Sequence, residues 1–347
     1  MNVTKKVIGS IEQTNVHEYT LTNDKGMTVT CLDYGCIITR ILTPDRFGNV
    51  ENVVLGYDHL EEYFPNPAYL GAVVGRVAGR IAGGSFELDG AHYELVKNNG
   101  NNHLHGGTKG VSHRVWKTDI IEEDNQVGVR FTYISPDGEE NYPGTVVLTV
   151  TYMITNHNEL HVTYHGLSDQ KTLLNMTNHT YFNLSGDLKR DIKEHELKLS
   201  SEKFLELNEE LIPTGAYLDV EGTPFDFRQF QAIGAGIHSN HPQIELVGNG
   251  FDHPFVLQQG ADNTVELVDR ESGRTLVVQT DQVGLVMYTG NFLPSTTMRG
   301  VECRPYLGVC FETQGLPDAI HHSHFPSIEV EAGVPYEAKT TFRFGVR

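Results

Sequence analysis

A chain of 347 residues with 39% hydrophobic and 20% charged residues can bury a substantial core, and it is too apolar for a disordered polymer. Its 26 basic residues face 45 acidic ones, a formal charge of −19. A field of that sign repels phosphates, which argues against nucleic acid, anionic membranes and phosphorylated substrates as partners and leaves neutral small molecules.

Four cysteines, Cys31, Cys36, Cys303 and Cys310, lack the paired C-x-x-C spacing of a zinc site. They read as buried free thiols of a cytoplasmic protein. Lys5 and Lys6 precede no apolar stretch, so no signal peptide is expected. No apolar run approaches the roughly 18 residues needed to cross a bilayer.

In chain order, Thr28–Leu42 reads as strand, turn and strand, and Thr43–Asn49 as a turn before a strand at Val50–Leu55. Tyr63-Phe-Pro-Asn-Pro is irregular, since proline constrains itself and its predecessor. Gly71–Gly84 is glycine-rich and carries Arg76 and Arg80. Asp89-Gly90 between Ser85–Leu88 and Ala91–Val96 predicts a tight hairpin. Lys97–Gly107, crowded with amides and glycines and holding His103 and His105, is a loop that serves as linker or site. Strands follow at Gln126–Ile134 and Thr145–Met153. His157-Asn-Glu-Leu-His161 misplaces the glutamate of a zincin helix and lies between alternating segments, so it predicts a hairpin, not a metal site. Gly222–Arg228 is a rigid turn, and Gly250-Phe-Asp-His-Pro-Phe255 reads as a loop. Strands are expected at Val265–Val268, Thr275–Thr280, Leu285–Tyr288, Leu307–Thr313, Ser327–Glu331 and Lys339–Phe344. His321-His-Ser-His324 sits in a proline-flanked loop without well-spaced carboxylates, so a solvated loop is the expectation there. Helices do not alternate with strands, which disfavours a parallel α/β sheet. The expected fold is all-β, an antiparallel sandwich forming one domain over residues 1–347.

Two stretches carry the chemistry. Asn175-Met-Thr-Asn-His-Thr-Tyr-Phe-Asn-Leu184 fits neither helical nor strict strand periodicity. Its amides, hydroxyls and imidazole beside aromatic rings are what a sugar pocket needs: fixed donors and acceptors, and an apolar surface for C–H groups. For His179 alone, a hydrogen-bonded core imidazole is the competing reading. In Val309-Cys-Phe-Glu-Thr313, strand alternation sends Cys310 and Glu312 to one face and Val309, Phe311 and Thr313 to the other. Glu312 is then either a sheet-surface carboxylate or one facing a pocket.

The decapeptide around His179 resembles the signature of the aldose 1-epimerase (galactose mutarotase) family. Four further motifs extend the resemblance in the family's order, from about Gly71 to about Gln314. Gly75-Arg-Val-Ala-Gly-Arg80 resembles the segment with a substrate-binding arginine, at Arg80, and Leu104-His105-Gly-Gly resembles the substrate-histidine motif. Gly250-Phe-Asp252-His resembles the motif whose aspartate holds sugar hydroxyls, and Cys310-Phe-Glu312-Thr-Gln resembles the one bearing the catalytic base. The resemblance implies a large antiparallel β-sandwich, Glu312 as general base at the anomeric hydroxyl, and His179 as general acid at the ring oxygen. Arg80, His105 and Asp252 would bind the sugar. Two proton transfers open and close the ring, a reaction that asks for no metal or cofactor. The expected partner is a free aldohexose and the expected assembly a monomer or homodimer. His103 and His253 read as structural, and Tyr181 and Phe182 as core. Gly79 departs from the Asn of many members and Val286 from the Gln of some, and both bear on sugar preference, not on proton transfer.

Three rivals make different demands. A phosphosugar epimerase wants a basic cluster for the phosphate. A glycoside hydrolase wants two carboxylates flanking the bond, which leaves His179 without a task. A sugar-binding module would keep the pocket and lose the acid or the base, and this chain has both.

Overall fold

The computed structural model describes residues 1–64, 66–258 and 264–347. Pro65, within the expected irregular stretch Tyr63–Pro67, lies outside the described residues. Two large antiparallel sheets dominate. A nine-stranded sheet includes Gln126–Ser135, Val146–Thr155, Glu159–Ser168 and Tyr336–Val346 in neighbouring positions. A six-stranded sheet runs, in spatial order, Tyr181–Phe182, Val309–Gln314, Gly284–Tyr288, Asp252–Leu257, Ser201–Leu207 and Pro213–Asp219. A five-stranded meander of residues 2–52 packs beside them, with the Tyr19 ring edge-on to Phe131 of the larger sheet.

Burial along Glu159–Ser168 alternates almost without a break, the mark of a strand with one face on a core. Its partner Val146–Thr155 turns back through residues 156–158, so the His157–His161 segment is the expected hairpin. Between the sheets, Phe182 packs on Phe311 of one and on Phe342 and Phe344 of the other, with ring centroids 5.4–6.3 Å apart. Thr313 and Thr340 hydroxyls meet across the same interface at 2.6 Å. This is the antiparallel sandwich that strand density predicts. Its α-helices, among the described residues, are two five-residue segments, Ile233–Ile237 and Pro242–Leu246.

Several elements differ from expectation. Asn2–Ile11 and Thr14–Thr22 pair as strands although their sequences show little apolar alternation. Glu196–Leu199 and Ser201–Leu207 also form strands, in a stretch for which the sequence predicts none. Asp252 begins the strand Asp252–Leu257 instead of lying in a loop. Pro254 is tolerated there because the ladder to Ser201–Leu207 starts only at Phe255, one residue further on. The Asp89-Gly90 turn forms as expected, with φ of 51° and 77°. His321 bonds Asp318, while His322 and His324 bond the carbonyls of Pro213 and Gly215, tying their loop to the neighbouring strand. All four cysteines are free and buried.

Candidate active site

The strand Val309–Gln314 alternates as the sequence predicts. Phe311 and Thr313 face the core, and Glu312 lines a cavity on the outer face of the six-stranded sheet. Cross-strand pairing supplies the floor: Val286 stands opposite Glu312, Pro254 opposite Val286, and Asp252 opposite Tyr288. Loops close the sides with Tyr69, His105 and His179, and the short strand Arg80–Ile81 adds Arg80. The cavity of ≈ 210 Å³ is smaller than the roughly 300–1,000 Å³ of drug-sized pockets and suits one sugar ring.

All five residues expected from sequence line this one cavity. His179 Nε2 lies 3.4 Å from Glu312 Oε1, with both side chains almost fully buried. Its Nδ1 lies 3.4 Å from Cys310 Sγ. Arg80 and His105 are brought together by the short pairing of Arg80–Ile81 with His103–Leu104. Arg80 Nε donates to Asn99 Oδ1 at 3.0 Å, which aligns the guanidinium along the wall. The turn after Leu104 places His105 and Gly106 at φ of 51° and 79°. A Cβ at Gly106 would lie 1.8 Å from the Gly75 carbonyl, so only glycine allows this approach. At Gly79, φ is 77°, and a Cβ would press within 2.9 Å of Pro317. Its N–H donates to His105 Nδ1 at 3.2 Å, and its carbonyl accepts from the His105 N–H.

That bond fixes the chemistry of His105. With Nδ1 accepting, the neutral ring carries its proton on Nε2 and can donate to a hydroxyl oxygen. His105, His179 and Glu312 do bring possible metal-ligand atoms within 4.8 Å of one another. However, neither His105 nitrogen is bare: one accepts from Gly79 and the other holds the proton. The donor set is arranged for hydrogen bonding to a polyol in preference to an ion.

Burial sets the electrostatics. It pushes the Glu312 carboxyl well above the usual range, aided by the neighbouring Asp252 and opposed by Arg80. Burial also raises Asp252, again against Arg80. It lowers His179 to about 4 and moves His105 well below its ordinary value. Burial thus disfavours the charged form of both partners, the carboxylate of Glu312 and the imidazolium of His179.

Other polar residues are structural. Arg76 is buried and donates to Ser135 Oγ and to the carbonyls of Ser135, Pro136, Pro143 and Gly144. Arg76→Ala is expected to lower stability by about 3 kcal/mol or more, because it strands these buried acceptors; urea unfolding measures the loss. His103 bridges the Val96 carbonyl and the Tyr142 hydroxyl. His253 contacts Gln243 and the edge of Phe225, from a strand instead of the expected loop. Phe182 is core, as expected. Tyr181 is buried, bonds the Ala68 carbonyl and also turns its ring to the cavity. Sequence reasoning missed Tyr69 and Tyr288 as lining residues; the periodicity of Gly284–Tyr288 opposite Glu312 could have revealed the second.

An all-β sandwich whose outer sheet face holds a buried carboxyl–imidazole pair among further hydrogen-bonding groups defines a pocket suited to a small polar molecule. Residues 17–343 match the sequence profile of aldose 1-epimerase. The chain is 40% identical to galactose mutarotase of Bos taurus, covering 100% of this chain and 99% of that one. It is 34% identical to aldose 1-epimerase of Escherichia coli K12 over 94% of each. The crystal structure of galactose 1-epimerase from Lactobacillus acidophilus NCFM superimposes with a TM-score of 0.90 at 30% identity, covering 99% of both chains. The chain belongs to the aldose 1-epimerase family.

Proposed function

We propose that this protein interconverts the α and β anomers of free aldohexoses such as D-galactose and D-glucose. The observation that carries the reading is the 3.4 Å approach of His179 Nε2 to Glu312 Oε1 in the wall of a cavity of one-ring size. A proton shift within that pair converts carboxyl and imidazole into carboxylate and imidazolium. Glu312 then takes the proton of the anomeric hydroxyl while His179 protonates the ring oxygen, and the C1–O5 bond breaks. Rotation about C1–C2 and reversal of both transfers closes the opposite anomer. Arg80, His105 and Asp252 hold hydroxyls, with Arg80 presenting a planar donor fork suited to a vicinal pair. No metal or cofactor is needed for these steps.

The reading is of a one-domain cytoplasmic enzyme, monomeric or homodimeric, with no nucleic-acid or membrane partner. The free thiols and the −19 charge support it. The test is polarimetry on freshly dissolved α-D-galactose, at a pH where spontaneous mutarotation is slow. Catalytic amounts of protein are expected to speed the approach to an unchanged final rotation, and D-glucose run in parallel ranks the two sugars. An unchanged rate with saturable galactose binding would replace this reading with a sugar-binding module.

A further inference from the structure

Tyr69 stands in the cavity wall on a backbone that does not favour it. Its φ is 50°, in the left-handed region that glycine and asparagine tolerate and bulky aromatics rarely adopt. Hydrogen bonds fasten the turn on both sides of the residue. The Tyr69 N–H donates to the Asn66 carbonyl at 2.9 Å, and the Leu70 N–H to Asn66 Oδ1 at 2.9 Å. Asparagine or glycine would meet this backbone geometry more easily. What tyrosine adds is a ring.

The ring is placed against the machinery. It lies nearly parallel to the His179 imidazole at 6.1 Å between centroids and edge-on to His105 at 4.8 Å. Its surroundings also include His113, at 5.9 Å. Beyond Tyr69 is a second cavity of ≈ 700 Å³ that, among the described residues, shares only Pro67 and Tyr69 with the first. One aromatic ring thus helps to partition the acid–base pair from a larger, more open space. Backbone strain kept at such a place points to a task that the side chain performs.

We propose that Tyr69 is a positioning residue of the site, its ring fixing the imidazoles of His105 and His179 at the angles from which they meet the sugar. The inference rests on the epimerase reading for its kinetic readout. The other groups facing His179 are Cys310 and Glu312 from one strand, Tyr288 from the next, and Tyr181 and His105. All of these remain when Tyr69 is replaced. A change in His179 titration would then report loss of the Tyr69 ring and entry of water past it.

The experiment pairs Tyr69→Asn, which suits the left-handed backbone and removes the ring, with Tyr69→Phe, which keeps the ring. Mutarotation kinetics give kcat and KM, and NMR titration of the histidines follows His179 in the free protein. For Tyr69→Asn, kcat is expected to fall about tenfold or more with KM within about threefold, a smaller loss than the roughly 10²–10⁴-fold of a general acid–base group itself, since Tyr69 acts through the imidazoles. The His179 midpoint should rise from about 4 toward the ordinary histidine value. Tyr69→Phe should match wild type within about threefold in kcat and leave the midpoint unmoved, since the ring is preserved. A Tyr69→Asn variant with wild-type kcat would overturn the proposal. So would one that loses activity while His179 titrates unchanged. If the wild-type protein leaves mutarotation unaltered, the epimerase reading fails, whereas the His179 titration still reports whether Tyr69 shields that ring.

Discussion

Glu312→Gln is expected to lower kcat for galactose mutarotation by about 10³-fold while the fold persists, the middle of the range of a general-base contribution. Glutamine matches glutamate in size and keeps one acceptor oxygen, so the cross-strand position opposite Val286 and the packing of the floor survive. What disappears is the group that can take the anomeric proton. KM should change much less than kcat, because Arg80, His105 and Asp252 still line the cavity. Far-UV circular dichroism and thermal unfolding check the fold, and polarimetry gives the rate. Activity within tenfold of wild type would remove Glu312 from its assigned role.

His179→Asn should cost about 10²–10³-fold in kcat, because asparagine can donate a hydrogen bond to the ring oxygen but cannot deliver a proton to it. The pH profile adds a sharper test. Turnover needs one proton on the His179–Glu312 pair. In the wild type, kcat/KM should fall on the acid side as pH drops through about 4, where His179 takes up a second proton while Glu312 is already protonated. It should fall again on the alkaline side as the pair loses its only proton, at a pH raised by the burial of Glu312. In His179→Asn, residual activity depends on the ionised carboxylate alone and should rise with pH through the Glu312 ionisation. Wild type and variant are thus expected to slope in opposite directions on the alkaline limb. Parallel limbs would mean that the two residues do not share the proton.

Glu312 was legible because strands repeat every two residues, so Phe311 and Thr313 in the core place Glu312 outside it. His179 stood out through a run of amides and hydroxyls unsuited to a core. Asp252 was found by its motif but assigned to a loop, since Gly250 and Pro254 look like strand breakers. Only the register, in which Pro254 has a strand partner on one side alone, explains the strand. The strands Asn2–Ile11 and Thr14–Thr22 went unseen because the first has no buried face to impose a pattern. Tyr69 was the least legible. Its contacts with His105 and His179 join distant parts of the chain, and nothing in a tyrosine announces a left-handed backbone.

The row of Pro254, Val286 and Glu312 across three neighbouring strands has a consequence for how such an enzyme can change. Backbone ladders hold adjacent strands about 4.8 Å apart, whatever side chains they carry. Glu312, the proposed base, is therefore set on a lattice with little freedom, whereas Leu211 and Phe292 at the cavity edge belong to turns. Evolution, or an engineer, can remodel that rim for a new sugar while Glu312 keeps its place. Preference for one aldose over another can drift by exchange of surface turns, whereas the place of Glu312 is inherited with the sheet.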